Sequence, residues 1–373
     1  MPLNSSVSAQ IQAAAMELGF DLAGVAPVRE FQELSHFEAW ITAGFAGEMK
    51  YLHTRDQAGH LKRSSLANAA PWARSVVVCA SNYNCAEPYS TKMPDPARGW
   101  ISRYAWSKAD YHDVVLTRLR ALEARIHQLC SDPDIRTWSY VDTGPIVERI
   151  YAKYAGIGWI GKNTCIINQQ VGSWLFLGVI LTSVPLLPDL PAPDRCGTCT
   201  RCLDACPTSA FPEPYKLDAS RCISYLTIEK RGSIPEELRH PMGRHLFGCD
   251  ICQDVCPWNR KAPVSTNAEF LPRESLVNPP LETIAAMTIE QFRETFRGSP
   301  VKRTKFPGLR RNCAIAMGNS GDSRFLPYLQ TLAEDADPVV AEHARWAINR
   351  IRARLSTVAP ASRRQISFED APS

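Results

Sequence analysis

The chain has 373 residues, 45% of them hydrophobic and 21% charged, which suits two or three folded domains and excludes wholesale disorder. A formal net charge of +4 permits an anionic partner without demanding one. No apolar run reaches membrane-spanning length, and Met1 to Ser6 carry neither the basic nor the apolar region of a secretory leader, so the expectation is a cytoplasmic protein with no membrane partner.

In chain order, residues 7–18 pattern as an amphipathic helix and 22–26 as a short apolar strand. Residues 75–80, Ser-Val-Val-Val-Cys-Ala, read as a buried strand. The spacing over 111–129 predicts a helix with Val115, Leu119, Leu122, Ile126 and Leu129 along one face. A short strand over 137–141, a helix over 147–154 and a strand over 173–182 follow. Strands mixed with helices point to an α/β or α+β unit over 1–185. The stretch 184–193 has prolines at 185, 188, 191 and 193; it cannot hold a helix and reads as a stiff linker. Beyond 280, the segments 309–317, 324–333 and 339–354 pattern as helices, punctuated at Gly318-Asn319 and Asp337-Pro338. Such paired short helices resemble solenoid repeats. From about 357 the mix of Ser, Pro, Ala and charge reads as a disordered tail.

Cysteine is the outlier: the chain has 13, and eight fall between Cys196 and Cys256. Without an export signal, metal ligation is a better reading than disulfides. Cys196, Cys199, Cys202 and Cys206, followed by Pro207, have the Cys-x2-Cys-x2-Cys-x3-Cys-Pro spacing of a bacterial 4Fe–4S run. A second, interrupted set comprises Cys222, Cys249, Cys252 and Cys256, with Pro257. The crossed pairing usual for such runs gives one cluster to Cys196, Cys199, Cys202 and Cys256, and the other to Cys206, Cys222, Cys249 and Cys252. Two structural zinc sites are the alternative, although zinc more often takes separated Cys-x2-Cys pairs. Cys79, Cys85, Cys130, Cys165 and Cys313 read as small buried hydrophobes. A ferredoxin alone would need far fewer residues, so the clusters should feed a further redox centre or a substrate.

Three other motifs need weighing. Gly156-Ile157-Gly158-Trp159-Ile160-Gly161 matches G-x-G-x-x-G, but a helix-like segment precedes it where a dinucleotide site needs a strand. Asn163 stands where a Walker loop needs Ser or Thr. Asp110-Tyr111-His112 begins a histidine cobalamin-ligand signature that fails at Val115, so His112 reads as an ordinary satisfied histidine. Asp142 sits where a short strand meets a turn: either a turn residue, or a proton donor if it faces an apolar cofactor.

Asp142-Thr143-Gly144-Pro145, Gly158-Trp159-Ile160-Gly161-Lys162-Asn163-Thr164, Gly172-Ser173-Trp174, Arg221-Cys222-Ile223-Ser224-Tyr225 and Gly248-Cys249-Asp250-Ile251-Cys252-Gln253-Asp254-Val255-Cys256-Pro257-Trp258-Asn259 together resemble the epoxyqueuosine reductase family. The likeness runs over about residues 8–353. The resemblance implies reduction of epoxyqueuosine to queuosine at the tRNA wobble position. It implies base-off cobalamin without a histidine ligand and two 4Fe–4S clusters, and a relation to reductive dehalogenases. It implies an α+β architecture: an N-terminal α/β cobalamin-binding domain with a nitroreductase-like core over 1–185, a ferredoxin-like two-cluster domain over 186–275, a HEAT-like helical region over 276–356, and a tail over 357–373. By position, Asp142 matches the proton donor. Arg63, Arg103, Lys162, Asn163, Thr164, Ser224, Lys230 and Asp250 fall in segments that line the corrin. Between 295 and 321 there are basic residues and no acidic ones; Lys302, Arg303, Lys305, Arg310 and Arg311 are the expected tRNA contacts. A monomer fed by an external electron donor is expected. A small-molecule corrinoid reductase and a non-catalytic electron carrier are the rival readings.

Overall fold

In the computed structural model, which describes residues 4–130 and 132–358, the N-terminal region is a sheet covered on both faces. Its helices and strands are α1 (Asn4–Glu17), β1 (Leu22–Pro27), β2 (Ser75–Asn82), α2 (Tyr111–Leu129), β3 (Thr137–Tyr140), α3 (Glu148–Tyr154) and β4 (Leu175–Thr182). The strands pair antiparallel in the order β1-β2-β4-β3. β2 is buried at every residue, as the χ1-stiff run Val76 to Val78 in a central strand requires. Alternate side chains serve opposite faces. Val77 and Cys79 pack with α1 and α2, while Val76, Val78 and Ala80 pack with α3. Gly178 lets α2 lie close on β4: a Cβ there would come within 2.8 Å of Val115 and 2.9 Å of Leu119. Asp110 caps α2 by accepting from the His112 N–H.

The proline stretch is not a free linker. Leu186 and Leu187 donate to Ser75 and Ser8, and the Asp189 carboxylate accepts from Val25 N and Gln12. It straps along the β1 side of the domain. The glycine motif at 156–161 follows α3 and enters the two-residue strand Trp159–Ile160, which removes the strand-then-helix context of a dinucleotide site.

The cysteine region carries little regular structure; its longest helix is α4 (Ile223–Ile228). It is tied into both neighbours. Trp100–Ile101 pairs parallel with His245–Phe247, and Asn259 holds Ser173 through N–H···Oδ1 and Nδ2–H···Oγ bonds of 2.7 and 2.9 Å. The C-terminal region contains α5 (Lys305–Ser320), α6 (Leu326–Ala333) and α7 (Pro338–Val358). Its core extends beyond the three helices: Leu309, Cys313, Met317 and Ile351 share one apolar cluster with Trp100, Ile101, Trp106 and Phe247. The tail expected over 357–373 lies outside the described residues from 359 on; residues 357 and 358 close α7. Among the described residues no helix is long and apolar enough to cross a membrane.

Candidate active site and thiol quartets

The loop between β3 and α3 carries Asp142 at φ +58°, a left-handed conformation that an aspartate tolerates better than most residues. Arg63 clamps this loop, donating to Gly144 O and Tyr51 O at 2.8 Å each. The Asp142 side chain remains 52% exposed. Its Oδ2 accepts from Tyr111 Oη at 3.1 Å and faces His112 Nε2 at 3.9 Å and Arg303 Nη1 at 3.7 Å. Arg303 in turn pairs with Glu229 at 2.7 Å. Tyr104 packs edge-on to Tyr111 and also against Phe247, two residues before Cys249. Burial first, and the Asp142 charge next, hold the phenols of Tyr104 and Tyr111 well above their usual range. Burial and the same charge push Glu148 up to about 7.

The cysteines gather into two groups. Cys202 faces Cys196 and Cys199, and Cys256 faces Cys196 and Cys202. Burial, with these neighbours adding to it, pushes Cys202 and Cys256 up to about 11. Cys249 faces Cys222 and Cys206, and Cys252 faces Cys249 and Cys222. Cys222 sits at the N-terminus of α4, where burial raises its thiol although the N–H groups of Ser224 and Tyr225 point at its sulfur and oppose that shift. Ala210 N donates to Cys206 Sγ at 3.3 Å. Among the described residues no three Cys, His, Asp or Glu side chains draw together closely enough to hold one ion. The donor set, eight sulfurs in two fours, fits two cubanes.

A corrin needs an open wall with polar partners for its amide fringe. Glu148 Oε1 and Tyr140 Oη, flanking the Asp142 loop, are buried without a partner among the described residues, and groups of this kind suit such a ligand. The histidine beside Asp142, His112, has Nδ1 2.8 Å from Asp110 Oδ1 and turns Nε2 toward Asp142.

The residues expected at the corrin divide. Arg63 and Thr164 lie by the loop, Thr164 at φ +63° with its carbonyl held by Arg149. Lys162 turns to the cysteine loop, donating to Gly197 O and Cys199 O at 2.7 and 3.0 Å. Asn163 is buried and donates to Cys252 O at 3.4 Å. Ser224 bonds Cys222, and Lys230 pairs with Glu48. Two side chains must be reassigned. Arg103 is 2% exposed, its guanidinium held by the carbonyls of Cys85, Glu87 and Pro88 and packed among Tyr89, Trp106 and Trp174. Asp250 is 1% exposed and accepts from Trp100 Nε1, Ser102 Oγ and Arg103 N. Both are buried structural groups at the crossing of Trp100–Ile101, and Arg103 Nε is left there without a partner among the described residues.

The basic segment also divides. Lys302, Arg303 and Lys305 are exposed, and Arg310 is partly buried against Asp335. Arg311 is a correction: it is 1% exposed and cannot reach a phosphate. Its guanidinium donates to Leu226 O, Lys230 O and Gly232 O at 2.7–3.0 Å, closing one C-terminal carbonyl of α4 and two of the turn that follows it. Burial lowers it to about 10. Arg311→Met leaves those carbonyls unpaired and is expected to cost about 3 kcal/mol of stability, seen as a lower unfolding midpoint with an unchanged salt dependence of RNA binding. Unchanged stability with weaker RNA binding would return Arg311 to the surface.

The sequence reading missed Tyr104, Tyr111, His112, Glu229 and Tyr51 around Asp142. For His112 a signal existed: Asp110 is a helix N-cap, which fixes the first turn of α2 and aims its side chains at one place.

Residues 63–143 match the family model described as epoxyqueuosine reductase QueG, and 195–259 match a 4Fe–4S double cluster binding domain. The epoxyqueuosine reductase of Pseudomonas aeruginosa is 40% identical over 343 residues, which cover 90% of this chain and 91% of that protein. That of Escherichia coli is 38% identical over 351 residues, 93% and 90%. Among solved structures, epoxyqueuosine reductase with a tRNA-Tyr epoxyqueuosine-modified stem loop superposes with TM-score 0.81 at 34% identity, covering 93% of this chain and 90% of that one. The Streptococcus thermophilus enzyme gives 0.82 at 29%, covering 95% and 91%. Sequence identity of this level over nine-tenths of both chains, with a mixed α/β fold and a double-cluster domain in common, means that this chain belongs to the epoxyqueuosine reductase family.

Proposed function

We propose that the chain reduces epoxyqueuosine in the anticodon loop of tRNA to queuosine, with cobalamin over Asp142 and two 4Fe–4S clusters. The observation that carries this reading is one shared wall: an exposed acid on a strained loop, two aromatic side chains (Tyr111, then Tyr104) away from the segment that leads into Cys249. Removing the epoxide oxygen takes two electrons and two protons, so an acid and an electron source must meet at one substrate atom. The clusters take Cys196, Cys199, Cys202 and Cys256, and Cys206, Cys222, Cys249 and Cys252. When bound, cobalamin supplies a low-valent cobalt that can hand electrons to a carbon–oxygen bond. Asp142 protonates the departing oxygen, Arg63 and Gly144 hold its loop, and Arg303 faces the charge that remains. Lys162 and Asn163 brace the two cysteine loops against each other. Arg63 and Thr164 border the corrin; Glu148 accepts from its amide fringe. We read the sheet region as nitroreductase-like, the last helices as a HEAT-like repeat, and the protein as a cytoplasmic monomer fed by an external donor.

The test is conversion. Protein loaded with both clusters and cobalamin, given a low-potential reductant and epoxyqueuosine-tRNA, should yield a nucleoside one oxygen lighter. No conversion with full cofactor content overturns the reading. Lys302, Lys305 and Arg310 provide the phosphate contacts. Binding of an anticodon stem-loop should weaken with salt, and Lys302→Gln with Lys305→Gln should each lower the slope of log affinity against log salt by about 0.7–0.9. An unchanged slope removes these lysines from the interface.

A further inference from the structure

Reduction of the epoxide consumes two protons: one when the ring carbon–oxygen bond opens to a hydroxyl, and one when that hydroxyl leaves as water. The two electrons come from the external donor through the clusters, and the carbon pair becomes the alkene. A single carboxyl holds one proton, so Asp142 must be reloaded between the two steps or a second donor must act.

The geometry offers one route. Asp110, 5% exposed, presents Oδ1 2.8 Å from His112 Nδ1. A carboxylate there accepts the Nδ1 proton and fixes the tautomer, which leaves Nε2 as the exchanging atom. Nε2 faces Asp142 Oδ2 at 3.9 Å, a gap closed by a small side-chain rotation or one bridging water. The His112 side chain is 28% exposed, so it can take protons from solvent, and its ring stacks on Tyr111 with centroids 4.0 Å apart. We propose that His112 returns a proton to Asp142 within each turnover, and that Asp110 is the positioning residue that holds the imidazole for this transfer.

The step balances. The imidazolium Nε2–H bond breaks, the Asp142 Oδ2–H bond forms, and the neutral ring keeps its proton on Nδ1, hydrogen-bonded to the Asp110 carboxylate, until solvent reprotonates Nε2. The other donor on the same oxygen is a poor rival: burial and the Asp142 charge raise the Tyr111 phenol, so it keeps its proton. The groups facing the relay are Asp110, Tyr111 and Asp142 around the start of α2 and its neighbouring loop, Tyr104 beside Tyr111, and Lys302 and Arg303, with Lys302 Nζ 3.6 Å from Asp110 Oδ2. The two cations limit the negative charge that the two carboxylates, Asp110 and Asp142, would otherwise gather there.

This inference rests on the epoxide-reduction reading, and the wild-type control separates the two. If loaded wild-type protein fails to convert epoxyqueuosine-tRNA, that reading falls and the relay with it. With wild type active, His112→Gln keeps the ring volume roughly and carries no titratable proton. It should lose at least tenfold, up to about 10²-fold, in kcat at neutral pH, with unchanged affinity for the stem-loop. The alkaline fall in kcat that imidazolium loss imposes on wild type should be absent. In His112→Ala, added imidazole should restore turnover, and Asp110→Asn should impair it less than either. The proposal is overturned if His112→Gln keeps wild-type kcat and pH profile. It is equally overturned if fully loaded His112→Ala is slow yet retains the wild-type pH profile and ignores imidazole, since that pattern marks a structural role.

Discussion

Asp142→Asn should bind tRNA normally, keep its full iron and cobalamin, and turn over about 10²–10⁴-fold more slowly than wild type. The substitution isolates the proton. Asparagine tolerates the φ of +58° at this position as well as aspartate does, so the loop keeps its shape. The amide oxygen still accepts from Tyr111 Oη, which sits 3.1 Å from the carboxylate, and Arg63 still holds Gly144. What disappears is the exposed carboxyl that, among the described residues of this wall, can give a proton to a departing oxygen; Glu229 is engaged by Arg303 and Asp110 by His112. Single-turnover product formation, with iron and cobalamin assayed on the same sample, checks this. Near-normal product formation would mean that Asp142 serves only the turn.

That result bears on what the residues could say before the fold was known. The cysteine spacing was legible because ligation to a cubane fixes local geometry over three or four residues. The strand at 75–80 and the helix at 111–129 were legible because apolar period reports burial directly, and β2 and α2 lie where the pattern puts them. Basic residues were read poorly. Arg103 and Arg311 look like solvated cations in a sequence, yet each is buried against carbonyls from segments far along the chain, and no local pattern encodes such a partner. The proline stretch misled for the same reason: its stiffness was visible, but the Ser75 and Ser8 hydroxyls that tether it were not. Arg303 was expected at RNA and is exposed as expected, but its head group lies beside Asp142 and Glu229. It stands between the basic surface and the reacting acid, where a tRNA phosphate and the departing oxygen's charge would compete for it.

The second large effect concerns electrons. Cys249→Ala should halve the iron per chain, leave stem-loop binding intact and abolish turnover with the external donor. The choice among the four thiols matters. Cys252 has Cys165 against it, close enough to share a hydrogen bond, so a Cys252 variant could recruit Cys165 as a substitute ligand and mask the loss. Cys249 is half-buried beside Cys222 and Cys206 and has no such understudy. Its place also sets the severity. Phe247 and Gly248 lead from the Tyr104 contact straight into Cys249, so loss of its quartet is expected to interrupt the supply of electrons toward Asp142. Cys165→Ala is the matched control: it should keep all the iron, because Cys165 belongs to neither four. Part of the ligation energy is folding energy, so Cys249→Ala should also unfold more readily than Cys165→Ala. Iron analysis, the iron–sulfur absorbance and a turnover assay on the two variants decide it: full iron and normal turnover in Cys249→Ala would break the assignment of the second four, and with it the path from the clusters to Asp142.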